Sequence, residues 1–188
     1  MTHKQLVEIA YKWLLKNGGV GVAFKELKST ADEIPDVIGF DCWQSIVIEV
    51  KVSRSDYLAD MKKPHRAKGM GNWRFYCCPK GLIKVEELPE KWGLIYVDEK
   101  GRARIEYDCR VKIVSKKCEG EWEWNKYPSG SYNIRQRSRE NRFEADMREE
   151  QRIMYSALRR LFVKGYMKHI YDKQYKLMSA KEIIELNQ

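Results

Sequence analysis

The apolar pattern of this sequence predicts an α/β (α+β) fold, a mixed central sheet flanked by helices in the order α-β-β-β-α-β, with a C-terminal helical extension. Two observations predict it. A helix-period opening segment ends in a pair of glycines, and short strand-like runs follow; one of them, Ile46 to Val52, is apolar at every position except Glu49 and Lys51. With 188 residues the chain is long enough to bury its own core.

Leu6, Ile9, Ala10, Trp13 and Leu14 recur at three- and four-residue intervals before Asn17-Gly18-Gly19. That spacing predicts a helix over 3–16, stopped by glycine. Gly21 to Leu27, Asp36 to Phe40 and Ser45 to Val52 read as strands, with Asp, Gly and Cys punctuating the last two. Arg54 to Lys68 reads as a helix capped by Ser53 or Ser55, with Pro64 set against its second half. Trp73 to Cys78 and Gly93 to Val97 are further strands, Asp98 to Gly101 a turn, and Ala103 to Val114 more strand.

Composition changes at Lys116, where Gly, Pro, Ser and acidic residues gather. Residues 1–115 are therefore expected to form the core, 116–133 a loop or linker, and 134–188 a basic helical extension. Phe143, Met147, Met154, Leu158, Leu161 and Phe162 fall on one helical stripe, which predicts a long helix from Ile134 to about Ile170, with a short one over 180–186. The stripe needs cover. The core or a second copy of the chain could supply it, so a homo-oligomer through this helix stays open.

The cysteines, Cys42, Cys77, Cys78, Cys109 and Cys118, are odd in number and show no metal-ligand spacing, so reduced thiols are expected. The opening segment is amphipathic and charged, without the uninterrupted apolar stretch of a signal peptide or membrane span; a cytoplasmic protein with no membrane partner is expected. A net charge of +9, from 36 Lys+Arg against 27 Asp+Glu, favours a polyanionic partner without naming it.

Strand alternation over 46–52 puts Ile46, Ile48, Val50 and Val52 on one face and Val47, Glu49 and Lys51 on the other. Two charges on one face of so apolar a strand need partners or solvent. Taken alone, the dipeptide pattern reads most plainly as an exposed sheet face with a salt bridge. Pro35-Asp36, at the start of the preceding strand, changes that reading, because a hairpin would bring Asp36 beside Glu49. Two carboxylates and a backbone carbonyl, that of Val50, make a hard oxygen site suited to Mg²⁺ or Mn²⁺. Such an ion polarises a scissile phosphate and lowers the pKa of its bound water; Lys51 beside it would orient the water and offset charge building on the phosphorus centre.

In these residues the sequence resembles the PD-(D/E)xK nuclease superfamily, with Pro35-Asp36 as the first half of the motif and Glu49-Val50-Lys51 as the second. Within it, Ile48 to Val97 is similar in pattern to the MmcB-like DNA repair proteins: Glu49-x-Lys51-x-Ser53, then Asp56-Tyr57-x-x-Asp60-x-Lys62-Lys63, Arg74-Phe75-Tyr76 and Gly93-Leu94-Ile95. The resemblance covers about the first 115 residues. It implies a restriction-endonuclease-like core and a Mg²⁺- or Mn²⁺-dependent deoxyribonuclease, serving DNA repair or processing in a bacterium, phage or mobile element. Asp36, Glu49 and Lys51 would be its catalytic residues, with single- or double-stranded DNA as partner.

Glu8 is a possible extra metal ligand, or a solvated helix charge. Lys62, Lys63, Arg66 and Lys68 crowd the helix after the catalytic strand, and Arg135, Arg137, Arg139 and Arg142 cluster farther on; both groups suit phosphate contact, and both equally suit a solvated basic face. Asp56 and Asp60 read as braces of their helix, and His65 as the one histidine near the site. Trp73, Phe75 and Tyr76 read as core before they read as a base-stacking platform. The alternative to a nuclease is a non-cleaving nucleic-acid-binding or assembly module on the same fold.

Overall fold

The computed structural model describes residues 1–63, 69–117, 131–137, 140–171 and 180–186. Helix α1 (His3–Asn17) begins at a capping box in which Thr2 and Gln5 bond each other's backbone N–H reciprocally. Strands β1 (Val22–Lys25), β2 (Val37–Phe40) and β3 (Ser45–Val50) follow, then helix α2 (Arg54–Asp60), then β4 (Trp73–Pro79), β5 (Trp92–Val97) and β6 (Ala103–Tyr107). These make one six-stranded sheet in sequence order. The β1–β2–β3 and β5–β6 pairs are antiparallel, whereas β3, β4 and β5 run parallel, so the sheet is mixed as the sequence predicts.

Period-two alternation sorts the strands into two faces. On one, Val37, Ile46, Ile48, Val50, Phe75, Cys77, Ile95 and Val97 pack beneath Leu6, Ala10, Trp13 and Leu14 of α1. On the other, Tyr76, Cys78 and Leu94 meet Tyr57 of α2, while Ile38 and Val47 meet Ile153. Every residue of β3 is buried, and the Lys51 N–H extends its pairing by donating to Cys77 at 2.9 Å. Trp73, Phe75 and Tyr76 are core, which removes the base-stacking option.

The C-terminal third departs from the expected long helix. Ser131–Arg137 is a strand, β8, paired antiparallel with β7 (Val111–Lys117) in a separate two-stranded sheet; helix α3 spans only Met147–Val163, a 3₁₀ segment Tyr166–Tyr171, and α4 Ala180–Leu186. Asp146 caps α3 by accepting from the Arg148 and Glu149 N–H groups. That cap and the preceding residues are tied to the core: the Phe143 N–H donates to Asn72, the Asp146 N–H to Gly69, and the Arg74 guanidinium lies 4.0 Å from the Phe143 ring centre. Of the stripe, Phe143 packs against the core. Ile153 and Glu150 are buried, while Met147, Leu158, Leu161 and Phe162 are exposed. Among the described residues no helix is long and apolar enough to cross a membrane. Cys42, Cys77, Cys78 and Cys109 are free thiols, and burial pushes Cys78 and Cys109 up to about 12; Cys118 lies outside the described residues.

Candidate active site

In β2–β3, Val37 pairs with Ile48; the register continued by one residue sets Asp36 opposite Glu49 and by two sets Pro35 opposite Val50. Pro35 has no N–H to give the Val50 carbonyl, and the Val50 N–H turns instead to the Asp36 carboxylate, 2.8 Å from Oδ2. Asp36 is thereby pinned at the strand end, half-buried, within the field of Glu49. Burial first, then the Glu49 charge, push its carboxyl up to about 6, against the lowering effects of the Val50 N–H, Lys51 and His3.

Glu49 is 5% exposed and Lys51 3%. Both project from the face opposite α1, where the Lys51 Nζ lies 3.4 Å from Glu49 Oε2 and 3.1 Å from Asp60 Oδ1. Asp60, 1% exposed at the end of α2, also accepts the Tyr76 hydroxyl at 3.0 Å and pairs with Lys63 at 3.2 Å. The site owes this placement to the anchoring of α2. Ser53 caps the helix by accepting the Asp56 N–H at 3.2 Å, and Arg54 and Tyr57 bind the carboxylate and carbonyl of Glu87.

The structure thus brings Asp36, Glu49, the Val50 backbone and Lys51 to one end of two adjacent strands. Two neighbouring carboxylates, and a carbonyl whose ladder position faces proline, form a donor set that fits a hard divalent cation. The Glu8 carboxylate pairs with Lys25 and with Lys12 at 3.6 Å, chiefly Lys25 lowering its pKa.

Sequence reasoning missed two participants, Asp60 and His3. Asp60, which the sequence presents as a brace of its helix, is the nearer carboxylate partner of Lys51. His3 Nε2 lies 3.3 Å from Asp36 Oδ1 and its Nδ1 3.9 Å from Glu26 Oε1, so His3 stands beside the site; His65 lies outside the described residues. No periodicity signals contacts that depend on where a helix end meets a strand end.

Of the expected phosphate-binding groups, Lys62 and Lys63 are exposed, and Arg142 donates to the Trp43 carbonyl at 2.9 Å. Arg66, Lys68 and Arg139 lie outside the described residues, as do the side chains of Arg135 and Arg137, whose backbone runs in β8.

No protein-family model and no curated protein matches this chain. Among solved structures, a protein of unknown function from Silicibacter pomeroyi aligns over 94% of this chain and 98% of its own, at 17% identity and a TM-score of 0.49. A likeness at that level carries no argument about function.

Proposed function

We propose that this chain is a divalent-metal-dependent deoxyribonuclease of the PD-(D/E)xK kind, acting in the cytoplasm in DNA repair or processing. The observation that carries the reading is the position of Asp36 opposite Glu49 with Lys51 beside them, on a strand that is otherwise apolar. Asp36, Glu49 and the Val50 carbonyl would hold Mg²⁺ or Mn²⁺. When bound, the ion would supply Lewis-acid polarisation of the phosphate and an acidified water.

The chain's own residues account for the remainder. Asp60 and Glu49 hold the Lys51 ammonium in place from two sides, and the Tyr76 hydroxyl holds Asp60. An ammonium so fixed needs little reorganisation to meet the negative charge that grows on the phosphate as the water oxygen bonds to phosphorus and the ester oxygen leaves. Asp36 is kept from wandering by the Val50 N–H. The exposed Lys62 and Lys63 are suited to the flanking backbone.

The test is cleavage of labelled single- and double-stranded DNA with Mg²⁺ or Mn²⁺, comparing wild type with Lys51→Met and Glu49→Gln purified identically. Metal-dependent cutting that both variants lack supports the nuclease; cutting undiminished in Lys51→Met overturns the assignment. A second reading, a nucleic-acid-binding module that no longer cleaves, draws on the low exposure of Glu49 and Lys51. It predicts metal-independent DNA binding that survives Glu49→Gln, with no cutting by wild type.

A further inference from the structure

The ring of His3 stands between two carboxylates, Nε2 towards Asp36 and Nδ1 towards Glu26, and ligand atoms of the three residues all lie within 4.8 Å of one another. Adjacent ligands around a six-coordinate ion with bonds of about 2.1 Å sit about 3 Å apart, so a modest inward movement would let these groups share one ion.

Each member is held from its backbone. The capping box of Thr2 and Gln5 fixes the first turn of α1, and with it His3. Glu26 has φ of 45°, a left-handed conformation that costs a non-glycine residue energy and that surrounding contacts must maintain. Its N–H donates to the Asp36 carbonyl at 3.0 Å, which ties the end of β1 to the start of β2. Asp36 in turn accepts the Val50 N–H.

We propose that His3, Asp36 and Glu26 form a mixed nitrogen–oxygen site for a divalent first-row transition ion, which makes the ion at Asp36 one such as Mn²⁺ in preference to Mg²⁺. The proposal deepens the nuclease reading, and rests on it only for the catalytic use of the ion. His3 Nε2 and Asp36 Oδ1 are the ligand pair. Glu26 Oε1, 3.9 Å from Nδ1, would on the same inward movement accept Nδ1–H, so that the ring presents Nε2 to the ion, or close in as a further oxygen ligand. An imidazole ligand selects against Mg²⁺, which favours an all-oxygen shell with several waters, and suits ions of intermediate softness.

The experiment uses the full chain stripped of metal, titrated with Mn²⁺ alone and followed by electron paramagnetic resonance, with pulsed measurements to detect nitrogen coupled to the bound ion. Wild type is expected to show ¹⁴N coupling. His3→Gln should lose that coupling and bind Mn²⁺ about tenfold or more weakly, and Glu26→Gln should weaken binding about tenfold while keeping the coupling. Competition by Mg²⁺ should be more effective in His3→Gln than in wild type. Bound Mn²⁺ without nitrogen coupling, equal Mn²⁺ affinity in wild type and His3→Gln, or no Mn²⁺ binding at all each overturns the site. DNA cleavage without nitrogen coupling overturns this site and leaves the nuclease standing; nitrogen coupling without cleavage does the reverse.

Discussion

The Lys51 ammonium lies 3.1 Å from the Asp60 carboxylate, and both side chains are all but removed from solvent. Buried charges of this kind are stable only in company: deleting Asp60 leaves the desolvated Lys51 with Glu49 alone, which costs up to about 3–5 kcal/mol. Asp60→Ala also strips the acceptor from the Tyr76 hydroxyl. It is expected to lower stability by about that amount in urea unfolding, with Asp60→Asn losing less because it still accepts from Tyr76. Loss of under 1 kcal/mol in Asp60→Ala would show that Lys51 does not depend on Asp60.

Asp36 should make stability fall with rising pH in metal-free protein. Its folded carboxyl is pushed up to about 6, from an ordinary 3.8, by burial and then by the Glu49 charge. The folded state therefore holds this proton more tightly than the unfolded chain, and the stability that protonation confers is present below about pH 4 and lost as pH rises through about 6. Asp36→Asn removes the titration and keeps an acceptor for the Val50 N–H. Thermal or urea unfolding in chelator should find the variant more stable than wild type at pH 7.5, by at most about 3 kcal/mol, with the gap closing near pH 4. Saturating Mn²⁺ should reverse the order at pH 7.5.

What was legible in the sequence was what alternation and register determine. The apolar run around Glu49 could be only a central strand, and its period placed Glu49 and Lys51 together; Pro35-Asp36 followed from the hairpin. The partners of these groups were not legible. His3 reaches Asp36 from the first turn of α1, and Asp60 reaches Lys51 from the end of α2, by tertiary placement that no local pattern encodes. The misread strand has a local cause. In Ser131–Arg137, Tyr132 and Ile134 alternate with polar residues at period two, but the run is short and its arginines also suit a helix start. In α3 the apolar stripe was real, but the helix turns Glu150 and Ile153 inward because a polar cluster awaits Glu150.

That cluster makes Glu150 the hinge-pin of the C-terminal segment. Its Oε1 accepts both the Ser45 hydroxyl, at 2.6 Å, and the Gly71 N–H, at 2.9 Å. Glu150→Ala leaves two buried donors without their acceptor, a loss of about 2–4 kcal/mol. Hydrogen exchange should show the Ile153 amide losing protection more than those of β3 and β4. If protection in α3 is unchanged, the helix is held by Ile153 and the Phe143 contacts instead.

Gly93 is where the parallel strands approach too closely for a side chain. A Cβ there would meet the Phe75 ring at 2.3 Å and the Tyr107 carbonyl at 2.9 Å. Phe75 is fully buried, with its ring 6.2 Å from that of Trp13 beneath α1, so the clash falls on a packed ring and on backbone rather than on a flexible tip. Gly93→Ala is therefore expected to cost about 1–3 kcal/mol, read as a fall in Tm. Phe75→Leu alone should also destabilise, by leaving a cavity, but the double variant should lose less than the two single losses added together, because the smaller side chain makes room for the methyl group. Full additivity would place the strain at the Tyr107 carbonyl. In that event the register of β5 against β6 moves, and Tyr76, adjacent to Phe75 on β4, keeps its bond to Asp60.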